Sequence, residues 1–302
     1  MMPAENAPDK PVLRIPKTQR CIDFDLPRIM GIVNVNDDSF CGDGTLDLAE
    51  IGHQVCRMLA EGADVIDIGA ESARTNRAAI SVAEESARLV PVLEKFDDWV
   101  SRARPRDAQQ LWPPLLSINT WRPAVAEAIL PLGGDILNDM SALPTPENAQ
   151  ICAKHGAALL IMHSVGQPKV PHTHCEWSDI LATQEAFFTE KLAMAEAAGL
   201  PRDALLVDPG IDFAKQKEDN LAIYRHAERL VRHACPVLLP VSRKTVIGDV
   251  LGIAQPNGRD AGTMACIVAG MTRLPAVMFR VHNVAAAAAS VRVLHAVLSA
   301  PA

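Results

Sequence analysis

Eight short apolar runs, amphipathic segments between them and a length of 302 residues together predict an α/β chain folded as one (β/α)8 TIM barrel. The runs are RIMGIVNV from Arg28, DVIDIG from Asp64, LLSINT from Leu115, DILNDM from Asp135, AALLIMH from Ala157, LLVDPG from Leu205, VLLPVSRK from Val237 and AVMFRVH from Ala276. Apolar runs of this length bounded by turn residues read as strands buried on both faces, as in a parallel sheet. The structural rival is a doubly wound open sheet, which has fewer strands and, in dinucleotide enzymes, a glycine fingerprint after the first. Neither GxGxxG nor GxxxxGKS/T occurs in the sequence.

Ahead of the barrel, Val12–Ile15 and Cys21–Phe24 flank a polar turn and predict a small hairpin, about residues 12–27, plugging the barrel's N-terminal mouth. The barrel itself spans about 28–300. Helix-period segments fall between the strands: Ala49–Leu59 puts Ile51, Val55, Met58 and Leu59 on one face. Glu185–Ala198, Leu221–Arg232 and Ala286–Leu298 read the same way, and Gly62, Gly156 and Gly199 stand where helices should stop. The polar, Pro-containing stretch Asp97–Pro114 reads as an extended surface connection. With no internal repeat or low-complexity linker, residues 1–302 read as a single domain.

Lys and Arg number 29 against 36 Asp and Glu, a net charge of −7 that argues against nucleic acid or an anionic membrane surface as the partner. The opening MMPAENAPDK has no apolar core of a secretory signal, and no run approaches the length of a membrane span. The seven cysteines form no CxxC pair and are odd in number, which predicts reduced thiols and a cytoplasmic setting.

Catalysis in this fold sits at the C-terminal strand ends. In order these present Asn34; Glu71 with Arg74; Asn119; Asn138 with Asp139; His163; Asp208; Ser242-Arg243-Lys244; and Arg280 with His282. Taken singly, each has a structural explanation, as a helix cap or a satisfied core group. Converging from every strand, they define a rim. Amides and carboxylates (Asn119, Asn138, Asp208) suit the edge of a flat heterocycle, since a carboxylate accepts two adjacent N–H donors. Cations (Arg74, Lys244, Arg280) beside a histidine suit phosphate oxygens. The rim thus predicts a heterocyclic substrate with a phosphorylated arm.

IMGIVNVNDDSF, EGADVIDIGAESAR, SINTWRP, ILNDM, MHSVGQP, LLVDPGIDFAK, PVSRKTVIG and FRVHNV resemble, in order and spacing, the signature segments of dihydropteroate synthases, over nearly the whole chain from Arg28. The resemblance implies a transferase of folate biosynthesis, a (β/α)8 barrel and homodimer. Such enzymes condense 6-hydroxymethyl-7,8-dihydropterin pyrophosphate with p-aminobenzoate and release pyrophosphate, with Mg²⁺ as cofactor. Carried over by residue, Asp208, Asn138, Asn119 and Lys244 would bind the pterin. Asn34, Arg74, Arg280 and His282 would cradle pyrophosphate, with Asn34 also near the metal. Thr75, Phe213 and Ser242 would line the aminobenzoate pocket, and Asn119, Lys244 and Arg280 would carry the catalysis.

The sequence departs from that pattern at several places. Asn119 stands where the family's SIDT has Asp, and Ala73 and Thr75 replace Thr and Pro of the second loop. Asn36 and Asp37 replace Thr-Pro, Asp212, Ala214 and Pro240 replace glycines, and Asn283 replaces Asp. Two readings follow: a synthase with a divergent second-substrate pocket, or a paralogue that binds a pterin and has lost or changed the condensation. A pterin-binding methyltransferase domain serving a corrinoid protein is a third, for which the SRK and RVH segments have no obvious use.

Other constellations are weaker. His172, His174 and Cys175 in PHTHCEW crowd three ligand types into one loop without a second cluster, which argues little for zinc. Lys244 as a Schiff-base lysine is less consistent with its SRK context than a substrate-binding cation. Ser39 and Ser72 have no evident base nearby in the pattern.

Overall fold

The computed structural model describes residues 10–37, 42, 44–71, 78–170 and 175–300. A hairpin, β1 (Leu13–Ile15) and β2 (Arg20–Ile22), comes first, paired antiparallel with Leu13 opposite Ile22. Eight parallel strands follow: β3 (Arg28–Asn34), β4 (Val65–Gly69), β5 (Leu115–Asn119), β6 (Ile136–Asp139), β7 (Ala158–Met162), β8 (Leu205–Asp208), β9 (Val237–Pro240) and β10 (Val277–Val281). They close in sequence order, β10 pairing back onto β3. All eight coincide with the apolar runs of the sequence.

Helices fill the connections: α1 (Leu48–Glu61), α2 (Val82–Arg102), α3 (Pro123–Ile129), α4 (Glu147–His155), α5 (Ile180–Ala197), α6 (Lys217–Arg225), α7 (Thr245–Leu251), α8 (Asp260–Met271) and α9 (Val284–Leu298). The Asp47 carboxylate caps α1 by accepting from Ala49 N at 2.8 Å, and Gly62 ends it with φ +109°. Two expectations are corrected. The helix α2 runs six residues into the stretch expected to be extended, because Phe96 and Trp99 carry its buried face onward. The Leu221–Arg232 segment divides at His226, and Ala227–His233 continues as a 3₁₀ helix with Ala227 and Leu230 buried at its three-residue repeat.

Alternation along the strands sorts the interior into layers. Outward residues such as Ile66, Ile118, Leu137, Leu159, Val207, Leu239 and Phe279 pack under the helices. The lowest inward layer, Met30, Val65, Leu115, Ile136, Leu160, Leu206, Leu238 and Met278, is apolar and is closed from below by Leu13, Ile15, Ile22 and Phe24 of the hairpin. The expected plug is therefore present, and the bottom of the barrel is dry core. Two residues further along each strand, the same inward parity delivers Asp67, Ser117, Asn138, Asp208 and Arg280, and above them Asn34, Asn119, Ser242 and His282.

Candidate functional site

The fully buried Asp67 sits in the first polar layer of the barrel. Its carboxylate accepts from Ser117 Oγ at 2.6 Å, from Asn138 Nδ2 at 3.2 Å to both oxygens, and from Arg280 Nε at 2.8 Å. A buried carboxylate is tolerated only when paired and hydrogen-bonded, and these three partners satisfy it. The same bonds orient the partners. With its N–H group committed to Asp67, Asn138 keeps its carbonyl oxygen for other donors. Arg280 binds through Nε, which leaves its two terminal nitrogens available to an anion.

Asp208, at the end of β8, is 5% exposed and accepts from Gly210 N at 2.6 Å. Burial pushes its carboxyl up to about 6, against the opposing pull of that amide, Lys244, Lys215 and Arg280. Gly210 has φ +66°, and a Cβ there would lie 2.0 Å from the His163 carbonyl, so only glycine makes this turn. Beneath the turn, the buried Lys215 donates to the carbonyls of His163, Gly210 and Phe213 at 3.2, 2.9 and 2.9 Å. Burial brings its ammonium down to about 7.

Lys244 reaches back across the pocket to donate to Ile211 O at 2.9 Å, with its ammonium 5.3 Å from the Phe213 ring centre. Its direction is set from below by the buried Arg259, which donates to the carbonyls of Arg243 and Lys244 at 3.0 and 3.1 Å. Arg243 turns the other way, onto Asp260 at 2.7 Å and Asn257 at 2.8 Å. Ser242 Oγ lies 2.7 Å from His282 Nδ1 and accepts from the His282 backbone N–H at 3.1 Å, holding the imidazole beside Arg280.

One pocket at the C-terminal mouth is lined by Asn34, Asn119, Asn138, Asp208, Phe213, Ser242, Lys244, Arg280 and His282. The expected site residues that the structure describes are therefore brought together. Arg74 and Thr75 lie outside the described residues, as do His172 and His174. The Asn119 amide, 6% exposed, has no hydrogen-bonding side-chain or backbone partner among the described residues.

Two of the strand-end groups turn out to be structural. His163 is packed against Phe187 at 4.8 Å and Trp177 at 5.6 Å, and burial brings its imidazole down to about 3. Asp139 faces outward and accepts from Ser141 N at 2.7 Å and Asn148 Nδ2 at 3.0 Å.

Reading the strand ends alone overlooks Asp67, Lys215 and a clamp on the second loop. In the clamp, Arg122 bridges Glu71 and the buried Glu85 and donates to Ile80 O at 3.1 Å. Lys169 also approaches Glu71, at 3.3 Å. Only strand parity offered a signal for Asp67. It is one inward step below Gly69, in register with Ser117.

The departures at glycine positions also have a local form: Asp212 and Ala214 adopt φ of +69° and +52°. Asn283 caps α9 through Ala286 N at 3.1 Å and donates to Asp260 at 2.9 Å.

The sequence matches the model of the pterin binding enzymes over residues 30–282. It is 32% identical over 285 residues to the dihydropteroate synthase of Escherichia coli K12, covering 92% of this chain and 94% of that one. The fold superposes on Xanthomonas albilineans dihydropteroate synthase with 4-aminobenzoic acid at a TM-score of 0.82, 33% identity, and coverage of 97% and 100%. On the same enzyme in complex with 7,8-dihydropteroate the TM-score is 0.79, with 32% identity and the same coverage. A family model that spans most of the chain and relatives a third identical over nearly their whole length fix its kind: the chain belongs to the dihydropteroate synthase family of pterin-binding transferases.

Proposed function

We propose that this protein condenses 6-hydroxymethyl-7,8-dihydropterin pyrophosphate with p-aminobenzoate, releasing pyrophosphate. The observation that carries the reading is the convergence of Asp208, Asn138, Lys244, Arg280 and His282 on one pocket. Asp208 accepts from the two adjacent N–H groups on the pterin's edge, Asn138 presents its carbonyl to the ring, and Lys244 donates to the pterin carbonyl. Arg280 and His282 bind the pyrophosphate. The C–O bond to pyrophosphate breaks with its electron pair leaving on oxygen. The amine lone pair then forms the C–N bond, and the amine loses a proton. The protein's work is positional and electrostatic: it neutralises the leaving group and keeps water from the cationic carbon.

Asn34, at the pocket rim, has an amide oxygen of the hard type that Mg²⁺ takes, and this metal usually binds through one or two protein oxygens with phosphate and water completing its shell. The rim therefore fits the metal, with Asn34 as its protein ligand; the bound ion would add positive charge against the pyrophosphate. Among the described residues no cluster of three His, Cys, Asp or Glu side chains offers a metal an all-protein site. The family resemblance is the support for a cytoplasmic homodimer built from one pterin-binding unit, residues 1–302. No helix among the described residues is long and apolar enough to cross a membrane.

The test is to incubate the purified protein with the pterin pyrophosphate, p-aminobenzoate and Mg²⁺ and to follow pyrophosphate and dihydropteroate together. Equal rates of appearance are expected. Pterin binding without either product would overturn condensation and leave a binding protein.

A further inference from the structure

The turn that delivers Lys244 carries backbone strain. Arg243, between Ser242 and Lys244, has φ +55°, in the left-handed region that a residue with a Cβ enters only at a cost. Such a conformation lasts only if its surroundings hold it. Both backbone polar groups of Arg243 are held by the segment that leads into and begins α8. Its N–H donates to Thr263 Oγ1 at 3.0 Å, and its carbonyl accepts from Arg259 Nη1 at 3.0 Å. Thr263 Oγ1 also donates to Arg259 O at 3.1 Å, so the two holders are tied to each other.

Arg259 is 6% exposed and binds four backbone carbonyls. Those of Arg243 and Lys244 precede α7 and those of Ile253 and Ala254 follow it, at 3.0, 3.1, 3.0 and 2.7 Å. One planar guanidinium thus clips both ends of a short helix. The helix leaves room for it at Gly248, where a Cβ would lie 2.5 Å from the guanidinium carbon.

From this arrangement we infer that Arg259 and Thr263 are positioning residues for Lys244: they fix the left-handed Arg243 peptide from both sides and so aim the Lys244 ammonium into the pocket. The inference rests on the proposed binding of the pterin pyrophosphate and adds to it two residues that do not line the pocket. If the clamp opens, Arg243 relaxes to an ordinary backbone conformation. The chain direction after it changes, and Lys244 loses its line to Ile211 O and to the pterin carbonyl. Asp208 and Arg280 stand on β8 and β10 and keep their places.

The experiment is a double-mutant cycle on the full-length protein, read by calorimetry with 6-hydroxymethyl-7,8-dihydropterin pyrophosphate. Where binding is too weak to titrate, kcat/KM for condensation reads the same cycle. Arg259→Met keeps much of the side-chain length and removes the donors. It should weaken binding by about tenfold, whereas in a Lys244→Met background the same change should matter by less than about twofold. A residue that merely supported the fold would weaken binding alike in both backgrounds, and that additive result would overturn the inference. Wild-type affinity in Arg259→Met would overturn it too. Thr263→Val, isosteric and less disruptive, is the second variant should the first fail to fold. It should lose about threefold or more, again only while Lys244 is present. Equal losses with and without Lys244 sink the clamp in this variant as well. The wild type separates the levels. Tight pterin binding with an additive cycle sinks the clamp alone, and no pterin binding sinks the functional reading and the clamp with it.

Discussion

Arg280 on β10 donates to Asp67 on β4 at 2.8 Å, spanning the intervening strand β3 inside the barrel. The pair ties the pyrophosphate end of the pocket to the heterocycle end, because Asp67 also holds Asn138. Replacing Asp67 with Asn keeps the shape and removes the charge that anchors both neighbours. Steady-state kinetics with the pterin pyrophosphate should show kcat/KM reduced by about tenfold or more, about 1.4 kcal/mol of transition-state stabilisation. A variant as active as wild type would mean that Arg280 and Asn138 find their places without it.

Pterin binding should depend on pH through Asp208. Its carboxyl is raised to about 6 by burial, so it is ionised above that value and protonated below. The protonated acid cannot accept two N–H donors through a full carboxylate. Affinity measured by calorimetry should therefore be level above pH 7 and fall as pH drops from 6 to 5, approaching tenfold per unit. In Asp208→Asn the affinity should be low and the profile flat across that window. A wild-type affinity that is constant down to pH 5 would remove Asp208 from the pterin edge.

Asn119 faces the pocket with an amide that no described group engages. If a negative charge there would favour the cationic carbon, Asn119→Asp should speed condensation, by up to about 10²–10³ if the geometry is ideal. The new carboxylate would share the barrel mouth with Asp67 and Asp208, and their mutual repulsion should reduce the gain. Single-turnover rates decide the matter, and an equal or slower rate in Asn119→Asp would count against the electrostatic account.

Removing Arg122 should cost stability. The side chains of Glu71 and Glu85 are 3% and 0% exposed; in Arg122→Ala Glu85 loses its cation, while Glu71 keeps Lys169 at 3.3 Å. Uncompensated buried charge costs roughly 3–5 kcal/mol, to be read as a lower urea midpoint with an unchanged slope. Burial already holds the Glu85 carboxyl above its usual range, and losing Arg122 raises it further. A raised acid opposes folding once the unfolded chain ionises it, so the loss should be larger at pH 8 than at pH 5. A loss below about 1 kcal/mol would make the clamp a surface contact.

The linear chain carried the barrel plan: eight apolar runs became eight strands, and the hairpin of Leu13 and Ile22 closed the bottom, while the end of α2 and the break at His226 did not show in it. It also named the pocket residues from Asn34 to His282, because strand ends face one mouth in a closed barrel. Those features are local, set by periodicity and turn chemistry within a few residues.

What only the folded molecule decided is which polar group serves which neighbour. Asp67 reads as one more residue of an apolar run until β5, β6 and β10 bring Ser117, Asn138 and Arg280 to it. His163 and Asp208 both look like strand-end chemistry, yet aromatic packing confines the first to the core while the pocket exposes the second. Arg243 and Lys244 are adjacent in sequence and point to opposite sides, one to α8 and one to the pocket. Charge pairing over separations such as the 213 residues between Asp67 and Arg280 depends on closure of the barrel, which no local pattern encodes.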